Sequence, residues 1–324
     1  MVMRTASGDL SSDDVVKRRG APTPLATVAS VGRRVAPYLA ILPTMATFLV
    51  LLGYPVALVV VLSFQKYNLA ELFGRAPSWI GLDNYREIFG NPQVLTIVLR
   101  TFLFTIANVA LTLVVGTLIG LLLSRLGRWI RMLVSIALIL AWAVPVVTGS
   151  VVFQWLFDSK FGVVNWALNS IRVFGDFTNH SWFDTGLTTF VVITMMMLWQ
   201  TVPFVAFSVF AGLGSIPKEQ FEAARVDGAD ERQMFRLITF PSLAPILLIL
   251  TFLSTIWDFK VFTQIWTMRQ GGPNNETETL SIYAYQVGVA GNRFGLAAAV
   301  SCVMVALLLI VLVPYIRRMI RTQE

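Results

Sequence analysis

The sequence predicts an all-α polytopic membrane protein with six transmembrane helices. Three observations carry that expectation. Of its 324 residues, 56% are hydrophobic and only 13% charged, with a mean hydropathy of +0.71; soluble domains carry about 25% charged residues. Six runs, roughly 38–65, 96–124, 130–157, 186–213, 239–266 and 294–316, are apolar over the length a helix needs to cross the hydrocarbon core. Lys and Arg divide unevenly between alternate connections, with sixteen on one side and seven on the other.

Residues 1–36 are polar and basic, with Arg4, Lys17, Arg18, Arg19, Arg33 and Arg34 against Asp9, Asp13 and Asp14. A signal peptide would carry a short apolar core and a cleavage site; here a long apolar run starts only near Tyr38, which predicts a cytoplasmic tail before an uncleaved first span. Residues 37–318 then form the membrane domain, and 319–324 a short C-terminal tail. Pro43, Pro55, Pro145, Pro203 and Pro245 interrupt the spans and are expected to kink them without breaking them. The stretch "WIGLDNYREIF" (79–89) mixes aromatic and charged residues and predicts a short helix lying at the interface. Segment 158–185 is polar with interspersed aromatics, including Phe161, Trp166, Phe177 and Trp182, and suits an outer lid or docking surface.

The basic tail, Arg125, Arg128 and Arg131, the 214–238 loop and the C-terminal Arg317, Arg318 and Arg321 share the richer side. Positive charge marks the cytoplasmic face, so both termini are expected there. The net charge of +7 follows from these loops and does not call for nucleic acid. Arg100 stands near the outer end of the second span, where it is expected to snorkel to the interface. Cys302 is the sole cysteine and His180 the sole histidine, which argues against a disulfide, a His-based metal site or a His-based catalytic triad. No Gly-rich loop ends in Gly-Lys-Ser/Thr, so the chain has no P-loop of its own.

One loop reads unlike the rest. "EAARVDGADERQMFRLITFP" (222–241) holds seven charged residues inside an apolar chain. Pro217 suits the first turn of a helix. Phe221, Ala224 and Val226 give it a rough apolar side, and Gly228 is a natural stop. Asp230 with Gln233 fits a capping box for a second short helix, whose apolar face is Met234, Phe235 and Ile238. Pro241 opens the fifth span. Such a helix–turn–helix knob either folds back on its own cytoplasmic ends or projects into a groove on a partner.

Glu222-Ala223-Ala224, Gly228, Ile238 and Pro241 closely resemble the EAA motif of ABC importer permeases, with Phe240 where Leu is usual. Asp227-Gly228-Ala229 is similar to the form common in carbohydrate importers. "IGLDNYREIF" and "FTQIWTMRQGGPNNETETLSIYAYQVG" (262–288) resemble two further stretches of the first permease subunit in the carbohydrate uptake-1 group, with Arg269 where Thr is often found. The resemblance covers nearly all of the chain after residue 37.

It implies a type I ABC importer permease fold in the bacterial inner or plasma membrane, with no catalytic residue and no cofactor of its own. The implied partners are a second permease subunit in a heterodimer, two ATPase subunits that bind ATP and Mg, and an external solute-binding lipoprotein. Glu222, Ala223, Ala224, Asp227, Gly228, Phe235 and Pro241 would couple to an ATPase, with Glu222 as anchoring acid, Ala223 and Ala224 for close approach and Gly228 for the turn. By alignment with the maltose-type permease, Ser254, Asp258 and Val261 in the fifth span, and Met197, Thr201 and Phe204 in the fourth, fall at sugar-facing positions. Trp199, Gln200 and Lys260 adjoin them, and Trp142, Gln154 and Trp155 are further candidates in the third span.

Polar groups at membrane depth are costly and point to function. The other reading of Asp258 is an ion pair with Lys260 or with the partner subunit; for Met197 and Phe204 it is core packing. The solute is expected to be a sugar or oligosaccharide, possibly amino-bearing. A glycerol phosphate or glycerophosphodiester is the nearest rival within this architecture. An ion-coupled secondary transporter using Asp258 and Lys260 as a charge relay is the rival from another class, and it leaves the 222–241 loop without a purpose.

Overall fold

The computed structural model describes residues 41–171 and 175–323. The N-terminal tail therefore lies outside the described residues, as do Arg172 and Phe174 of the 158–185 segment. By its contacts the chain divides into one unit ending at Leu58 and a second running from Val59. In the first unit none of the described residues is buried.

The first span, α1, runs from Ile41 to Ser63. A two-residue ribbon follows, β1 (Gln65–Lys66) antiparallel to β2 (Ser78–Trp79), with the short α2 (Leu69–Leu72) between the strands. This ribbon is a small departure from an all-helical expectation. Helix α3 (Asp83–Gly90) is the short helix foreseen within 79–89, and its side chains explain its position. Asn84 Nδ2 donates to the carbonyls of Ser63 and Gln65 at 2.9 and 3.0 Å, and the Tyr85 hydroxyl donates to Ser63 Oγ at 2.8 Å. The Asn-Tyr pair thus ties α3 to the chain leaving the first span. Arg293 adds a two-pronged bridge to Glu87 from the start of the last span.

The long helices are α4 (Pro92–Arg125), α8 (Gly186–Gly214), α11 (Phe240–Phe259) and α14 (Phe294–Gln323). The last runs on through the segment expected to be a tail. Helix α4 lies along α8, and α11 packs against both. Gly116 and Gly120 make the first contact possible: a Cβ at Gly116 would stand 2.5 Å from the Val205 side chain, and one at Gly120 2.8 Å from the Ala206 carbonyl. Small residues four apart let membrane helices approach backbone to backbone.

Prolines act in three ways, and one contradicts the expectation of kinks without breaks. Pro203 and Pro245 are carried inside helices. Pro55 and Pro241 are each preceded by a single π-helical turn, Leu49–Gly53 and Phe235–Thr239. Proline lacks an N–H and crowds the carbonyl four residues back, and the wider turn relieves both problems without ending the helix. Pro241 therefore sits inside a helical segment that begins at Glu231 and does not open a new one. Pro145 does break its span. Helix α5 (Arg128–Ala143) and α6 (Val146–Leu156) meet at 103°, with Val144 extended at ψ 128. A residue before proline is steered away from the α region, so the run 130–157 becomes a bent pair. Counting that pair as one span, the described residues contain six candidate spans.

Candidate functional site

The cytoplasmic-type knob is built by short-range hydrogen bonds. Helix α9 (Lys218–Val226) is capped at Asp227. Gly228 N–H donates to the Arg225 carbonyl at 3.1 Å, and Ala229 N–H to that of Ala224 at 2.9 Å, the paired bonds of a Schellman stop. Gly228 stands at φ 82, while a Cβ there would meet open space. The glycine answers a backbone requirement and not a crowded one. Helix α10 (Glu231–Met234) carries the foreseen capping box, with Asp230 Oδ1 accepting from Gln233 N–H at 2.6 Å and Gln233 Oε1 accepting from Asp230 N–H at 2.9 Å.

No residue of α9 is buried. Glu222, Ala223, Asp227 and Gly228 are exposed and Ala224 is half-buried. The expected apolar side is only partly inward: Phe221 and Ile238 are half-buried and Met234 is buried, but Phe235 is exposed and Val226 is 88% exposed. Val226 occupies the last turn of α9 before Gly228, and the described residues leave it open.

The second group of predicted residues converges where α8 meets α11. Met197 and Val261 are buried in one packed cluster. Phe204 meets Trp257 edge to face at 5.5 Å between ring centroids. Ser254 and Asp258, one turn apart on α11, are buried at 5% and 4% exposure. Among the described residues neither the Ser254 hydroxyl nor the Asp258 carboxylate has a hydrogen-bond or ion-pair partner. Lys260 is exposed and makes no bridge to Asp258, so the expected alternative of a pair within this chain does not form. Thr201 spends its hydroxyl on the Met197 carbonyl at 2.7 Å and lies 3.3 Å from Thr112 Oγ1 of α4.

Several candidates have structural duties. Gln200 is buried, and its Nε2 donates 3.1 Å to the carbonyl of Val144. That carbonyl belongs to the Pro145 break, and a backbone acceptor freed at membrane depth needs a partner. Gln154 Nε2 likewise donates to the Met268 carbonyl at 3.2 Å, tying α6 to the short α12 (Thr263–Arg269). Trp199 packs on Phe153 of α6 with centroids 5.6 Å apart. Trp142 and Trp155 are exposed. His180 sits edge-on between Phe177 and Trp182, an aromatic packing role.

Sequence reasoning missed two groups of residues. Trp257 escaped because a lone Trp in an apolar run carries no periodic signal. Thr101, Thr105, Asn108 and Thr112 form a buried polar stripe along α4, and among the described residues Thr105 Oγ1 and Asn108 Oδ1 have no hydrogen-bond partner. Their spacing of four, three and four residues was a readable sign, since such positions share one helix face.

Arg100, expected to reach the interface, spends its guanidinium on backbone carbonyls of its own chain. Its guanidinium donates to the carbonyls of Asn275 at 2.7 Å and Glu278 at 3.1 Å. This holds the strap from Gln270 to Leu280 across the top of α4. The strap also places Glu276 Oε2 2.6 Å from Gly186 N–H, the first residue of α8, where a carboxylate suits the helix N-terminus. Leu280 N–H donates to Thr101 Oγ1 at 3.0 Å. Burial raises the Glu278 carboxyl above its ordinary value, against the lowering influence of Arg100 and a bond from Gln93.

A family model described as "Binding-protein-dependent transport system inner membrane component" matches residues 113–322. The chain is 41% identical to the diacetylchitobiose uptake system permease protein DasB of Streptomyces coelicolor, covering 100% of this chain and 99% of that one. It is 29% identical to the trehalose/maltose transport system permease protein MalF of Thermococcus litoralis, covering 86% and 92%. Its fold is similar to a chain in the crystal structure of a bacterial ABC transporter involved in the import of the acidic polysaccharide alginate, with a TM-score of 0.76 at 21% identity over 92% of this chain and 100% of that one.

Proposed function

The chain belongs to the family of binding-protein-dependent transport system inner membrane components, and from that membership we propose that it is the first permease subunit of an ATP-driven importer of an oligosaccharide built from amino sugars. As a transport component of the membrane it is not an enzyme. It pairs with a second permease, and two ATPase subunits supply ATP hydrolysis with their own Mg. An external binding protein delivers the solute. Both termini and the 222–241 knob face the cytoplasm.

Two observations support the solute class. The 41% identical relative is named for diacetylchitobiose, an N-acetylated disaccharide. Within the chain, the buried and unpartnered Asp258 carboxylate is the observation that carries the reading. With Ser254 one turn away it offers acceptors, the Phe204–Trp257 ring pair supplies an apolar face on the same two helices, and among the described residues no basic group bridges to it. Such a site suits hydroxyl and acetamido N–H donors and repels phosphate, which disfavours a glycerol phosphate. Gln200 and Thr201 shape the pathway wall by holding the broken span and α4 in place. At the other end, the exposed Glu222, Ala223, Asp227, Val226 and Phe235 form the face that enters a cleft on an ATPase.

The test is uptake into proteoliposomes holding the complete transporter and its binding protein. Diacetylchitobiose should accumulate only with ATP inside or on the ATPase side, and an ionophore should leave it unchanged. Accumulation of glycerol phosphate in its place would overturn the solute class. Uptake that survives without ATP and collapses with ionophore would overturn the transporter class.

A further inference from the structure

Three rings beyond the Asp258 site serve neither it nor the strap. Phe262 follows Val261, Trp266 lies one turn into α12, and Tyr285 ends α13 (Leu280–Tyr285). Phe262 and Trp266 are stacked at 5.7 Å and 13°, Phe262 and Tyr285 are 5.0 Å apart, and Trp266 and Tyr285 4.5 Å. One side of Phe262 and Trp266 rests on the buried cluster of Val261, Ile265 and Ile282. All three rings remain half-buried.

Their polar tips are idle. Among the described residues neither the Trp266 indole N–H nor the Tyr285 hydroxyl has a hydrogen-bond partner, although such groups normally find one when covered. Gln286, next to Tyr285 in the chain, donates its Nε2 to the Gln270 carbonyl at 3.0 Å. Interfacial aromatic belts place rings singly with their tips in water. Here three rings, two of them on α12 and α13 and the third at the N-cap of α12, touch one another around unpaired donors, and Phe262 stands four residues along the chain from Asp258, beyond the end of α11.

We propose that Phe262, Trp266 and Tyr285 form a second saccharide subsite on the outer side of Asp258. Resting on the sugar reading above, it takes a further pyranose ring of the same oligosaccharide. The uncovered aromatic faces meet the C–H face of the ring. The Trp266 N–H and Tyr285 O–H donate to its hydroxyl or acetamido oxygens. The subsite therefore sets preference for chain length and is of little consequence for a single sugar.

The experiment measures ATP-driven uptake of β-1,4-linked N-acetylglucosamine of one, two and four units by the complete reconstituted transporter. Trp266→Ala should lower tetramer uptake about five- to tenfold relative to monomer, the range expected for one lost aromatic contact. Tyr285→Phe should shift the same ratio less. Binding-protein-stimulated ATP hydrolysis should persist in both. An unchanged ratio in both variants, or equal loss at every length, overturns the subsite. Should Trp266→Ala fail to assemble, Tyr285→Phe, which removes one hydroxyl, decides alone. A wild-type transporter that hydrolyses ATP on stimulation but takes up none of the three sugars overturns the sugar reading, and the subsite with it.

Discussion

The knob at 218–234 and the strap at 270–280 are both short connections between long helices, and they are opposite in construction. The hydrogen bonds that shape the knob join residues three to five apart: Ala229 to Ala224, Gly228 to Arg225, Gln233 to Asp230. Those that fix the strap reach much further along the chain: Gly186 to Glu276, Arg100 to Asn275, Leu280 to Thr101. A segment built from local bonds keeps its shape while its outer face stays open, which suits a part that must fit another protein. A segment built from remote bonds cannot move without moving the helices it joins, which suits a tie across the bundle.

This contrast can be broken by substitution, and the largest effect is expected in the strap. In Gly186→Val the new Cβ would stand 2.5 Å from the Glu276 side chain. The loss should be on the order of 3 kcal/mol, read as a lower melting temperature of the purified protein in detergent; an unchanged melting point would mean the strap is not a tie. Arg100→Ala frees two carbonyls and removes the cation beside Glu278, with an expected loss of about 2 kcal/mol and faster hydrogen exchange over 270–280.

Gly228→Val should disturb the knob alone. Its φ of 82 costs a β-branched residue roughly 1–2 kcal/mol locally, so melting should hardly move while ATP hydrolysis and uptake separate. Normal uptake by this variant would sink the coupling role. Asp230→Ala removes one cap at about 1 kcal/mol and should fray α10 in exchange measurements. Arg125→Ala breaks an exposed bridge to Glu231 at 3.6 Å and should change stability by less than about 0.5 kcal/mol.

Two acids, one in the strap and one on α3, sharpen the contrast through pH. Glu278 is held above its ordinary value, chiefly by burial. It therefore stabilises fully below its unfolded value of about 4.3 and loses that contribution as pH rises through its folded value. Glu87 is held below its ordinary value, chiefly by the bond from Arg293, so its contribution is present above the unfolded value and fades as pH falls through the folded one. Exchange protection of the strap should thus weaken as pH rises from acid, and that of α3 should weaken as pH falls. Glu278→Gln should flatten the first profile and leave the second; a pH-independent strap in the unaltered protein would contradict the assignment.

What could be read beforehand follows the same division. The stop at Gly228, the box at Asp230 and Gln233, the short helix at 83–90 and the apolar lengths of the spans all follow from neighbours within a turn or two. The break at Pro145 was misjudged as a kink. Whether a proline is absorbed or ends a helix depends on what meets the freed carbonyl, and here that is Gln200, 56 residues away in sequence from Val144. The carbonyl partners of Arg100 could not be read from the sequence, because a run of apolar residues says nothing of the loop that folds over its end.

The candidate sugar site was half legible. Ser254 and Asp258 stood out because charge is expensive at membrane depth, and their shared face follows from the period of the helix. That Trp257 meets Phe204, that Met197 and Val261 share one cluster, and that Lys260 turns away from Asp258 are outcomes of packing α8 on α11. By itself, then, the sequence determined the membrane class, the spans and the knob, because hydropathy and capping act over a few residues. The tertiary structure alone decided which prolines break, what the strap ties together and which side chains remain unpartnered, because each depends on groups brought together from distant parts of the chain.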